Sequence, residues 1–145
     1  MKNRNLPWAA GLFEGEGTIT IAKRSLDMTY RIVVIVGNTD RQIIRFFQTR
    51  WPGWVQPAYG ERPGRKPSWC WTVAGPAAVD FITEILPYLI TSRVRQKARL
   101  ALLFRKNQSR RKRDWNKSSY KPIQARLYAR MRVLNKRGVD RAPSF

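Results

Sequence analysis

Two of the chain's nine acidic residues, Glu14 and Glu16, fall within three positions of each other, and glycines flank Glu16 on both sides. Carboxylates are hard oxygen donors of the kind divalent cations such as Mg²⁺ prefer. A carboxylate that works beside a phosphate needs such an ion between the two anions. Gly15 and Gly17 leave room there for a bulky ligand. A glycine-rich phosphate loop fits poorly, because Gly15-x-Gly17 runs into Thr18-Ile19-Thr20 without a third glycine. From these residues alone two plainer readings stay open: exposed turn carboxylates without a role, and a small-residue helix that packs inside its own domain.

The remaining inventory narrows the chemistry. The chain has no histidine and a single cysteine, Cys70. Within one chain that excludes a Ser-His-Asp or Cys-His nucleophile system, a zinc finger, and a nuclease with histidine as base or metal ligand. The formal net charge is +20 over 145 residues, which calls for a polyanionic partner. The charge is uneven. Residues 1–90 hold 11 basic and 7 acidic residues, a net of +4, whereas residues 91–145 hold 18 and 2, a net of +16. Arginine outnumbers lysine 20 to 9, and its planar fork suits phosphates and guanine edges. The basic segment reads either as a solvated tail or as a phosphate grip with salt-dependent binding. The longest aliphatic run, Ile32 to Val36, is far short of the roughly 20 residues a membrane-spanning helix needs. The expectation is therefore an intracellular protein (cytoplasm, nucleoid or organelle matrix), not secreted and with no membrane partner.

The elements that would position the acids follow from periodicity. Pro7 can start a short helix that runs to about Glu14, with Ala10, Gly11 and Gly15 offering small residues on one side. Residues 18–24 alternate with period two, residues 29–36 are rich in β-branched side chains, and 18–36 reads as a hairpin. Thr39-Asp40-Arg41-Gln42 has capping-box spacing ahead of a helix with Ile43, Ile44, Phe46 and Phe47 inward, which Trp51-Pro52-Gly53 ends. Strands follow at 54–59 and 68–74, with Trp69, Trp71 and Val73 toward the core. Val79, Ile82, Ile85, Leu86 and Leu89 form a helical stripe that Pro87 kinks or ends. Residues 92–106 read as a basic helix with Leu100, Leu103 and Phe104 as apolar contacts. Residues 107–120 read as a linker, and Ile123, Leu127, Met131 and Leu134 as the stripe of a last helix. Paired strands make an antiparallel sheet the default, with helices on one face. The fold class is α+β: a domain over 1–106 with a basic linker and C-terminal helix over 107–145.

Residues 9–17, AAGLFEGEG, resemble the signature of the LAGLIDADG homing endonucleases. Gly11, Leu12 and Gly17 match it, and Glu14 and Glu16 stand where that family has acids. The succession of elements over about residues 6–104 is similar to the family's αββαββα order. The resemblance implies a four-stranded antiparallel saddle sheet and a single-motif protein that works as a homodimer, with Trp8, Gly11, Leu12 and Gly15 at the dimer interface. It implies double-stranded DNA as partner, and site-specific double-strand cleavage at a long pseudo-palindromic site by metal-dependent phosphodiester hydrolysis, as in intron homing. The alternative is a relative that binds nucleic acid without cleaving it, an RNA splicing maturase or a repurposed DNA-binding protein.

Carried onto this sequence, the resemblance assigns Glu16 and the Gly15 carbonyl to a divalent metal, Mg²⁺ or another ion such as Mn²⁺, with Ca²⁺ in a non-cleaving complex. Asn38 and Gln42 would position water, and Arg93 would take the place of the family's active-site lysine. Thr18, Thr20 and Arg24 of one strand, and Thr29, Arg31, Val33 and Ile35 of the next, would face DNA. Val33 and Ile35 fit that face only as thymine-methyl contacts. Ser68, Cys70 and Thr72 would extend the reading face. Arg62, Arg65 and Lys66 would reach the outer end of the site, and Arg95 and Lys97 would touch phosphates.

Overall fold

In a computed structural model of the protein, residues 5–23, 29–58, 63–113 and 120–136 are described. Helix α1, Leu6–Glu16, carries Pro7 in its first turn, where a missing N–H costs nothing. It stops at Gly17, whose N–H caps the Phe13 carbonyl. A Cβ at Gly17 would overlap the Phe13 ring, so this glycine answers to the chain's own packing.

Strands β1 (Gly17–Lys23) and β2 (Tyr30–Asn38) pair antiparallel, as the hairpin reading of 18–36 predicts. Helix α2 follows over Arg41–Arg50. Its cap is Asp40, which accepts from the Gln42 N–H at 2.9 Å, and not the Thr39 hydroxyl that the capping-box spacing suggests. The Asp40 N–H is itself held by Asn38 Oδ1 at 2.8 Å, which sets the entry to the helix one residue later. Strands β3 (Trp54–Pro57) and β4 (Trp69–Ala74) complete one antiparallel sheet of order β1-β2-β4-β3.

Register assigns each side chain to a face. Ile19, Ile21, Ile32, Val34, Val36, Trp71 and Val73 point one way and are buried. Beneath them lie α1, α2 and α3 (Pro76–Ile85). An aromatic cluster fills the layer: Phe47 stacks on Trp71 at 5.3 Å, and Phe81 meets Trp51 edge-on at 4.9 Å and Phe13 at 5.5 Å. Of the expected stripe Ile82 and Ile85 are fully buried and Leu89 nearly so, while Val79 is half-buried and Ala78 and Phe81 complete the inner face of α3. Trp51 is buried too, and its indole N–H reaches Glu84 at 3.2 Å.

Pro87 ends α3 through a 3₁₀ turn, Leu86–Tyr88. Helix α4 spans Ser92–Arg113 and so continues past 107, where the linker was expected. It buries Ala98, Leu100, Ala101 and Phe104 and leaves Leu103 half exposed, because 98, 101 and 104 share one face at helical spacing. Helix α5, Tyr120–Asn135, folds back against α4 and lies along the free edge of β1. Met131 joins the main core, and Gln124 is buried where Ile123 was expected. Among the described residues, no helix is long and apolar enough to cross a membrane.

Candidate functional site

The two motif acids have different environments. Glu14 Oε1 accepts from the N–H groups of Ile90 (2.7 Å) and Thr91 (2.6 Å) and from the Thr91 hydroxyl (3.0 Å). These donors stand at the start of α4, where backbone N–H groups lack intrahelical partners and the helix dipole favours an anion. Partial burial is the largest single influence on the carboxyl and works against ionisation. The backbone bonds from Thr91 and Ile90 and the Thr91 hydroxyl together outweigh it, and the group is held below its ordinary value. Glu14 therefore clasps α1 to α4, a role that its spacing from Glu16 does not reveal. Glu16, the last residue of α1, is exposed. It stands immediately before β1 and two residues before the polar face begins at Thr18, and Gly15 precedes it with a carbonyl in the helix's last turn, where intrahelical donors run out. Among the described residues, no three acidic or cysteine side chains gather into a metal cage.

The outward stripe of α1 is Trp8, Gly11, Leu12 and Gly15, at i, i+3, i+4 and i+7. Gly11 and Gly15 are exposed, Leu12 is half-buried and Trp8 is 42% exposed, with its ring edge-on to Phe46 at 4.5 Å. A Cβ on Gly11 or Gly15 would meet nothing within 4 Å, so the chain's own packing does not require either glycine. Ala10, expected beside them, points inward and is buried with Ala9, since it lies on the opposite side of the helix.

The sheet's other face collects most of the expected DNA-facing residues. Thr18 lies opposite Ile35, Thr20 opposite Val33 and Ala22 opposite Arg31. Across the next pair Ile35 meets Thr72 and Gly37 meets Cys70. Thr29 precedes β2, and Ser68 precedes β4 with its carbonyl bound to the Ala58 N–H. Two members correct the expectation. Val33 and Thr72 are each only 6% exposed, because Thr20 and Ala74 flank the first and Ile35 and Trp54 the second; little of either remains to touch a base. Burial also pushes the Cys70 thiol above its ordinary value. The register adds two residues the sequence reading left out. Trp54 and Gln56 of β3 lie opposite Thr72 and Cys70 on the same face, and Trp54 is 44% exposed.

Asn38 and Gln42 come together around Asp40 on one turn, through the two bonds that start α2. Arg93 does not join that turn. Its Nε and Nη2 donate to the Leu134 carbonyl at 2.9 and 2.7 Å, and Nη2 also to the Lys136 carbonyl at 3.2 Å. The last carbonyls of α5 lack intrahelical donors and attract a cation, so Arg93 clasps the C-terminal end of α5, a bonding that the expected catalytic role did not include. Arg65, Lys66 and Arg95 are exposed and Lys97 is half-buried. Arg24 and Arg62 lie outside the described residues.

The sequence matches no family model and no curated protein. Solved structures do match. The archaeal intron-encoded homing endonuclease I-Vdi141I, complexed with DNA, superposes with a TM-score of 0.68 at 13% identity, over 95% of this chain and 88% of that one. The LAGLIDADG homing endonuclease I-GzeII, in complex with its DNA target, gives 0.65 at 10% identity over 89% of this chain. The LAGLIDADG homing endonuclease I-SmaMI, bound to cleaved DNA, gives 0.66 at 15% over 92%. This chain spans 44% of each of the latter two. At such identities the likeness is one of architecture, and the chain has the fold of the LAGLIDADG homing endonucleases.

Proposed function

We propose that the chain is a divalent-metal-dependent, site-specific DNA endonuclease of the homing type that acts as a homodimer. The observation that carries this reading is the division between the two motif acids. Glu14 is consumed by the fold, while Glu16 is left exposed at the junction of the motif helix and the polar sheet face. The set fits a metal. Glu16 and the Gly15 carbonyl are hard oxygen donors, and Mg²⁺ typically takes one or two carboxylates and completes its shell with water and substrate phosphate. Such an ion, when bound, supplies activated water and stabilises the leaving oxygen of a phosphodiester, so the lack of histidine is no obstacle.

The chain's own residues do the rest. Asn38 and Gln42, flanking Asp40, orient water. Thr18, Thr20, Arg31, Ile35 and Cys70, joined by Trp54 and Gln56, present the face that reads base edges in a major groove. Arg65, Lys66, Arg95 and Lys97 grip phosphates, which positions the sheet without adding sequence information. The stripe of Trp8, Gly11, Leu12 and Gly15 meets its copy across a twofold axis, and such a dimer reads pseudo-palindromic DNA. The match to only 44% of the I-GzeII and I-SmaMI chains supports this, since one copy would supply half of such an assembly.

The test is incubation with a randomised duplex library, or with DNA carrying the uninterrupted insertion site of the gene's own element, in the presence of Mg²⁺. The expected result is double-strand breaks at one sequence, which EDTA prevents. Specific binding that leaves the duplex intact with Mg²⁺ present would replace this reading with a non-cleaving nucleic-acid-binding protein.

A further inference from the structure

The site above leaves the cations of α5 unassigned. Residues 120–136 contain five basic side chains and no acid. Helix α5 is fixed in place by specific bonds. Asn135 donates its amide to the Ile19 carbonyl on the free edge of β1 at 2.8 Å, Arg93 holds the Leu134 and Lys136 carbonyls, and Met131 is fully buried. These contacts hold one side of the helix down and leave Arg126, Arg130, Arg132 and Lys136 exposed. Between α5 and the sheet lies a groove of about 570 Å³, lined by Thr20 of the reading face and by Tyr128, Arg132, Asn135 and Lys136, among others. Among the described residues, no carboxylate lines it. The Arg132 guanidinium lies over the Tyr128 ring, 5.9 Å from its centroid, and that contact orients it.

We infer that this groove is a backbone clamp: it takes phosphates of duplex DNA along the strand that borders the part of the site read by β1. Arg132 and Lys136 supply the charge, Thr20 supplies a hydroxyl, and Arg93 and Asn135 act as positioning residues that hold the clamp at the β1 edge. The occupant follows from charge, since the groove is rimmed by cations, is lined by no competing anion among the described residues and is continuous with the polar face through Thr20.

The inference rests on the DNA-binding reading above, and the test separates the two. The probe is a duplex of arbitrary sequence, because phosphate contacts do not depend on base identity. Binding is followed by fluorescence anisotropy across a salt series for wild type, for the double variant Arg132→Gln/Lys136→Gln, and for Arg45→Gln. Arg45 is exposed on α2, in the helical layer behind the sheet, and serves as the control. Each lost phosphate contact lowers the slope of log K against log salt by about 0.9. The double variant is therefore expected to be shallower than wild type by about 1–2 per subunit, equally on duplexes of different sequence, while Arg45→Gln keeps the wild-type slope. Steep wild-type binding with an unchanged slope in the double variant, or a change no larger than that of Arg45→Gln, overturns the clamp. A wild type that binds no duplex at any salt overturns the DNA-binding reading, and the clamp with it.

Discussion

Gly11 offers a perturbation with opposite consequences for the single chain and for the proposed dimer. A methyl group added there meets no atom within 4 Å, and the residue sits in the middle of α1. Replacing a mid-helix glycine with alanine removes backbone entropy from the unfolded chain and stabilises a helix by roughly 0.5–1 kcal/mol. For a chain of this size that raises the melting temperature by about 2–4 °C per kcal/mol. If instead α1 packs against its copy through the stripe of Trp8, Gly11, Leu12 and Gly15, twofold symmetry places the extra methyl in the interface twice. Overpacking a close contact costs about 1–3 kcal/mol for each insertion. The two together should weaken the dimer by about 2–6 kcal/mol, which raises its dissociation constant on the order of 30-fold at the least. Sedimentation over a protein-concentration series measures the second quantity, and chemical denaturation at concentrations where the chain is monomeric measures the first. The expected pair is a more stable monomer and a weaker dimer for Gly11→Ala. The reasoning is refuted if Gly11→Ala destabilises the monomer, or if it dimerises with wild-type affinity.

Gly17 should behave in the opposite way to Gly11. Gly17→Ala drives a Cβ into the Phe13 ring and is expected to cost the monomer roughly 1–3 kcal/mol in a urea melt. Glu14→Ala leaves the α4 N–H groups without their charged acceptor and should cost about 1–2 kcal/mol near neutral pH. The Glu14 carboxyl is held below its ordinary value of 4.5, so its stabilisation is complete above about that pH and is lost as pH falls through the lowered folded-state value. The gap between wild type and Glu14→Ala should accordingly close in denaturation curves taken at progressively lower pH. Arg93→Ala removes three bonds to the end of α5, and hydrogen exchange should quicken in 120–135 well before it does in β2 and β4.

Much of this fold is legible in local pattern. Strict alternation in β1 and in 68–74 sorts Thr18, Thr20, Cys70 and Thr72 from Ile19, Ile21, Trp71 and Val73, and the pairing register keeps those groups apart. What pattern does not carry is which partner a side chain meets far away in sequence. Glu14 and Glu16 read as one pair, but only the fold brings Ile90 and Thr91 to the first of them. Arg93 reads as one of several cations, and only the return of α5 beside α4 gives it carbonyls to hold. Trp51 reads as punctuation after a helix, because the aromatic layer that buries it is assembled from four separate segments. Asp40 displaces Thr39 as the helix cap because Asn38 anchors the preceding turn, a competition between neighbours that spacing alone leaves undecided. Burial within the polar face likewise depends on cross-strand neighbours, which is why Val33 and Thr72 are nearly closed while Thr18 is open.

The central claim is that Glu16 does the chemistry while Glu14 does the folding. The direct measurement compares cleavage time courses of wild type, Glu16→Gln and Glu14→Gln on one cleavable duplex with Mg²⁺, with the folded fraction and DNA occupancy of each matched by denaturation and gel shift. Glu16→Gln should bind the duplex like wild type and leave it uncut, while Glu14→Gln should cut in proportion to its folded fraction. Double-strand cleavage by Glu16→Gln at the wild-type rate would contradict the account.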